Sequence, residues 1–96
     1  MLERNFQSSL IKDLKKEFPD AMIFKMDPKY IQGTPDLMIL YKKKWAVLEV
    51  KNDKNAKHQP NQDYYVDKMN RMSYAAFINP ENKAEVFDEL HKTFRA

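Results

Sequence analysis

Leu2, Phe6, Leu10, Leu14 and Phe18 recur at every fourth position, and the series stops at Pro19-Asp20. Residues four apart stack on one face of an α-helix, and Ile11 widens that face, so the spacing predicts an amphipathic helix over residues 2–18. The pattern then changes. Ala21 to Met26, Leu37 to Tyr41, Trp45 to Lys51 and Tyr74 to Ile78 are short apolar runs, the first closed by the turn pair Asp27-Pro28. Such runs between turn signals read as strands. Helical spacing returns over residues 60–72 through Tyr65, Val66, Met69 and Met72. Asn79-Pro80 offers a helix N-cap with proline at the first helical position, ahead of a last helix with Ala84, Phe87, Leu90 and Phe94 on one face. The order αβββαβα leaves one economical arrangement, a sheet with one-sided helices packed on it.

Lys42-Lys43-Lys44 separates the second and third strands, which makes that pair a β-hairpin. The last strand follows its predecessor through a helix, a crossover that sets the two parallel, so the sheet is mixed. Residues 29–34 form an irregular loop with the chain's only glycine, Gly33, which signals a special backbone angle or a close approach to a ligand. At 96 residues, with 43% hydrophobic and 12% aromatic residues, a single α/β domain over 1–96 is expected rather than disorder. Charges interrupt every apolar run, which excludes a membrane-spanning segment. The first residues lack a signal peptide's basic and apolar regions, and with no cysteine there is no disulfide framework or thiolate zinc site. A cytoplasmic protein is the default.

Two apolar runs carry acids where core design would avoid them. Gly33-Thr34-Pro35-Asp36 opens one strand and Glu49-Val50-Lys51 closes the next. An acid and a lysine belong on a buried strand face only beside a charged partner or a metal. Trp45, Val47, Glu49 and Lys51 share one face, while Asp36 sides with Met38 and Leu40. A two-residue loop at Lys42-Lys43 sets Asp36 opposite Glu49; a three-residue loop would pair Asp36 with Val50 and send Glu49 to the other face. If they meet, two repelling carboxylates suit a divalent cation, and magnesium takes one or two carboxylates plus a phosphate oxygen. Lys51 would then hold or deprotonate a water, or neutralise a phosphate oxygen. Metal-assisted hydrolysis of a phosphodiester is the chemistry this set suggests.

These residues, with twelve positions between the Gly-Thr-Pro-Asp and Glu-Val-Lys motifs, resemble the PD-(D/E)xK nuclease superfamily. The similarity is greatest to its small phage and bacterial members, the VRR-NUC-like and Holliday-junction-resolvase-like nucleases. The superfamily's core order, αβββαβ, covers most of the chain, so the resemblance implies a restriction-endonuclease-like core with a C-terminal helix added. It implies that Asp36 and Glu49 bind Mg²⁺, with Mn²⁺ as a substitute, that the Val50 carbonyl completes the coordination, and that Lys51 is catalytic. Glu3 resembles the first-helix glutamate that approaches the metal; as a helix-start acid it would also suit the helix dipole. Gln62 resembles the glutamine opening the helix after the Glu-x-Lys strand, where it contacts the site or DNA, a buried structural amide being the other role; Gln59 is the next candidate. Ser73 stands where many relatives close this helix with glycine, a change to a cap rather than to chemistry.

The net charge of +3 is mild, and its placement says more. Lys54 and Lys57 follow the acid-bearing strand and are candidates for DNA-backbone contacts. Lys43 sits at the hairpin tip, either solvated or touching DNA. Tyr64 either stacks on a base or is simply exposed, and His58 either meets a phosphate or does nothing. His58 and His91 lack metal-ligand spacing. The function expected is a Mg²⁺-dependent DNA endonuclease. It would cut branched or duplex DNA by structure, at junctions or flaps, because no recognition domain is appended. Symmetric incision of a junction implies a homodimer, and the setting implied is a bacterial cell, with a phage gene as one source. Two other readings stay open: a non-catalytic nucleic-acid-binding module on the same fold, and a replication or recombination accessory active only with a partner.

Overall fold

The computed structural model describes residues 2–95. Its elements are α1 (Glu3–Glu17), β1 (Met22–Lys25), β2 (Leu37–Tyr41), β3 (Lys44–Val50), α2 (Gln62–Met72), β4 (Tyr74–Ile78) and α3 (Lys83–Arg95). The strands lie side by side in chain order, β1-β2-β3-β4. The first two pairings are antiparallel, and β3–β4 is parallel across the α2 crossover. The sheet is therefore mixed, as the element order predicts.

Lys42-Lys43 is the whole hairpin loop, with Tyr41 paired to Lys44 and Lys42 at φ 56°. This tight turn fixes the register: Leu40 faces Trp45, Met38 faces Val47 and Leu37 faces Leu48. One residue further, Asp36 stands across from Glu49.

Alternation along the strands divides the core in two. On one face Leu37, Ile39, Ala46, Leu48, Val50 and Ile78 pack against α1, through Phe6, Leu10, Leu14 and its flanking Phe18, and against α3, through Val86, Leu90 and Phe94. The two helices are tied together by an edge-on contact between Phe18 and Phe94, centroids 5.4 Å apart, by an ion pair of Lys83 with Asp13 and by a hydrogen bond between His91 Nε2 and Glu17. On the other face α2 covers β3 and β4 with Val66 against Val47 and Ala75, flanked by Met38, Trp45, Met69 and Phe77.

Some expected details change. Leu2 and Met72 are exposed, each at a helix end. On α3 the buried stripe is Val86, Leu90 and Phe94; Ala84 is exposed and Phe87 half-buried. Adjacent apolar residues at 86 and 87 leave the helix phase open in the sequence, and packing against α1 and the sheet selects it. Asn79 does act as a cap: its Oδ1 accepts from the backbone N–H groups of Glu81 and Asn82, and Asn82 returns a bond to the Asn79 N–H. This reciprocal pair is a capping box, although regular helix starts only at Lys83.

Gly33 adopts φ 93°, and a Cβ there would lie 2.7–2.8 Å from Asn61 and the Pro60 carbonyl. The special angle is real, but the close approach is to the segment before α2 rather than to a ligand. Asn61 itself has φ 72°. Two left-handed residues in contact thus fasten the 27–34 loop to the start of α2.

Candidate active site

The end of the sheet where β2 begins and β3 finishes collects the acidic residues. Asp36 is held on both sides: its Oδ2 accepts the Val50 N–H at 2.8 Å, and its backbone carbonyl accepts the Met26 N–H at 2.8 Å. Glu49 projects from β3 on the α2 face and is only 2% exposed. Glu3 reaches the same point from the first turn of α1. One carboxylate oxygen from each of Glu3, Asp36 and Glu49 lies within 4.8 Å of the others.

Lys51 follows on the same face as Glu49 and is 6% exposed. Its backbone N–H continues the parallel ladder to the Ile78 carbonyl at 2.9 Å, which fixes the side chain's origin. Its ammonium donates to Gln62 Oε1 at 2.7 Å and to the Lys57 carbonyl at 3.1 Å. Gln62 is the connector. Its Oε1 also accepts the Gln59 N–H at 2.8 Å, while its Nε2 donates to Glu49 Oε2 at 3.0 Å. One amide therefore fixes the lysine and the glutamate relative to each other, using acceptor and donor ends at once.

The electrostatics are those of crowded acids. Burial pushes the Glu49 carboxyl up to about 9, helped by the nearby Asp36 carboxylate and the charge of Glu3; Lys51 opposes the shift. The Glu3 carboxyl is also raised, first by burial and then by Asp36, again against Lys51. Among the described residues, Glu49 Oε1 is buried without a hydrogen-bond partner. A buried, unpaired carboxylate oxygen costs stability unless something satisfies it. Three carboxyl groups, one of them carrying the orphaned oxygen, fit a hard divalent cation, which takes oxygen ligands.

The other expected residues separate into near and far. Lys57 is near, and its backbone carbonyl holds Lys51. Lys54 pairs with Glu81 at 3.6 Å on the surface, which neutralises part of its charge. Tyr64 is exposed on the first turn of α2, edge-on to Tyr65 and beside Lys68. Lys43 is at the hairpin tip, the opposite end of β2 and β3 from the acids, about 20 Å away at a strand rise of about 3.3 Å per residue. Gln59 contributes its main chain rather than its side chain. His58 is engaged, stacked on Phe77 with centroids 4.0 Å apart and bonded through Nδ1 to Asp63 at 2.7 Å. It thereby pins the segment whose backbone holds Lys51 and Gln62. Main-chain contributions from Lys57 and Gln59 leave no mark on side-chain identity, so the sequence offers no signal for them.

A solved structure of a VRR_NUC domain protein superposes on this chain with a TM-score of 0.72, covering 99% of this chain and 89% of that one, at 17% identity. No protein-family model and no curated protein sequence matches the chain. At that identity the likeness establishes the fold: a mixed four-stranded sheet flanked by helices, VRR-NUC-like. Among the described residues no helix is long and apolar enough to cross a membrane.

Proposed function

We propose that this protein is a divalent-metal-dependent nuclease that hydrolyses phosphodiester bonds in DNA, selecting substrates by structure rather than by sequence. The observation that carries the reading is the convergence of Glu3, Asp36 and Glu49 within 4.8 Å, with a buried Lys51 fixed beside them. The likeness in fold to a VRR_NUC domain protein supports it from a separate direction.

Asp36, Glu49 and Glu3 would hold the cation, with the Val50 carbonyl as a further ligand and Mg²⁺ as the ion of choice. When bound, such a cation supplies charge neutralisation at a phosphoryl oxygen and a more acidic water. The rest falls to the chain. Gln62 and Lys57 take two of the three ammonium N–H groups of Lys51, and the third serves a phosphate oxygen or the attacking water. Gln62 keeps Glu49 and Lys51 in mutual register, so that acid and ammonium need no rearrangement when substrate arrives. Lys57 and Tyr64, near the site, are the preferred nucleic-acid contacts, with Lys54 contributing less because of Glu81. Lysines of this kind position a backbone without reading base edges.

A homodimer is part of the proposal. Met22, Phe24 and Leu40 form an exposed apolar strip on the β1–β2 part of the α2 face. Such a strip suits a self-complementary contact.

The test is cleavage of a labelled panel of linear duplex, single strand, flap and four-way junction, with Mg²⁺, Mn²⁺ or EDTA, comparing wild type with Glu49→Ala. Metal-dependent cutting by the wild type, lost in the variant, is expected. Binding without cutting, alike in both, would point to a non-catalytic module. Activity only after a partner protein is added would point to an accessory subunit.

A further inference from the structure

The acid cluster has an apolar neighbour on the same sheet face. Met38 is the next same-face residue after Asp36, and Val47 the last before Glu49; the two pair with each other. Together with Pro35, Met69, Tyr30 and Ile31 they line an open groove of about 430 Å³. Two strand residues, about 7 Å, separate the groove's floor from the acids, a distance one nucleotide spans. Its size lies in the range of small-ligand sites.

The lining selects the ligand class. Methionine, valine, proline and isoleucine offer nothing to a phosphate or a sugar hydroxyl, but they suit a flat, weakly hydrated ring. Tyr30, 81% exposed at the rim, presents an aromatic face for stacking. The two polar groups at the rim are partly engaged locally: the Thr34 hydroxyl donates to the Ile31 carbonyl, and Asp27 Oδ1 accepts the Lys29 N–H. The groove wall is also fixed to the catalytic shell. Gly33 packs the 27–34 loop against Asn61, the residue before Gln62.

We infer that this groove receives an unpaired, unstacked nucleobase adjoining the phosphate at the Glu3–Asp36–Glu49 cluster. The inference rests on the nuclease reading and deepens it, because it supplies the substrate preference. A paired base must first be unstacked at a cost of a few kcal/mol, whereas a base at a flap, nick or junction has already lost its partner. Insertion therefore favours branched and frayed ends over continuous duplex.

The test uses flap oligonucleotides with 2-aminopurine at the unpaired position next to the junction, or with an abasic site there, and Ca²⁺ in place of Mg²⁺. Binding is expected to change the 2-aminopurine emission and shield it from acrylamide. The base-containing strand should bind on the order of 10-fold more tightly than the abasic one. Tyr30→Ala and Ile31→Ser, both at exposed rim positions, should bring that ratio towards one while the folded CD spectrum is kept. Equal affinity for the two strands, or a ratio untouched by both variants, would overturn the inference. So would a dimer that becomes a monomer in the variants with the ratio unchanged, since the groove would then hold a second copy. The nuclease reading fails separately, as absence of Mg²⁺-dependent cutting while the base preference persists.

Discussion

On the α1–α3 side of the sheet, Leu37, Ile39, Leu48 and Val50 meet Leu10, Leu14 and Leu90, and among the described residues no carboxylate or ammonium is buried there. On the α2 side the same two strands present Met38 and Val47, then Glu49 and Lys51 at the open end, 2% and 6% exposed. One strand serves both faces because its side chains alternate: Leu48 and Val50 anchor β3 while Glu49 and Lys51 are displayed. The first face gains stability from apolar burial. The second gives up some of it by keeping acids together in a partly dry place, and it does so on β3, whose residues 46–50 are all buried. Rigid placement of an unfavourable charge set is what a cation site needs.

Substitutions on the two faces should therefore separate stability from activity. Leu48→Ala removes a fully buried side chain from the apolar face, and urea unfolding should show a loss of about 2–5 kcal/mol. A smaller loss would mean that this face is looser than its packing implies. On the other face the sign reverses with pH. The folded-state pKa of Glu49, about 9, lies above its ordinary value of 4.5. The folded state thus binds this proton more tightly than the unfolded chain, and the contribution of Glu49 to stability is fully present below pH 4.5 and is lost as pH rises towards 9. Metal-free thermal melts of the wild type should fall over that window, and Glu49→Gln should flatten the decline. A parallel decline in both proteins would assign the effect to other groups.

Gln62→Ala leaves the three acids in place but frees Lys51 from Glu49. Cleavage should drop about 10- to 100-fold, the range seen when a partner of a metal ligand is removed, with cation affinity falling less than the rate. An unchanged rate would make Gln62 a structural amide. Smallest of all, Lys43→Ala at the distant hairpin tip should change stability by no more than about 0.5 kcal/mol and leave cutting unaltered. A clear loss of DNA affinity there would extend the binding track along the whole length of the hairpin.

The register of β2 against β3 was legible because parity permits few solutions: once Lys42-Lys43 is taken as a two-residue turn, Asp36 has to face Glu49. Buried charge supplied the rest of the signal, since Glu49 and Lys51 have no reason to occupy a strand interior otherwise. Gln62 could be placed on the inner side of its helix from spacing, but its bridging of Lys51 and Glu49 could not, because it depends on where the 57–59 backbone runs. The phase of α3 was undetermined for a similar reason, Val86 and Phe87 being equally apolar until α1 is packed against them. Gly33 announced its unusual angle, yet its contact with Asn61 joins segments that are far apart in the chain and becomes visible only in three dimensions.

Calorimetric titration of Mn²⁺ at pH 7.5, in buffers of different ionisation enthalpy, tests the central claim most directly, with wild type and Glu49→Gln compared. If the acid cluster is a cation site, the wild type should bind the ion and release about one proton, because Glu49 must ionise on binding; that release should fade above pH 9, and the variant should bind far more weakly without it. Absence of binding, or identical binding in the two proteins, would contradict the account.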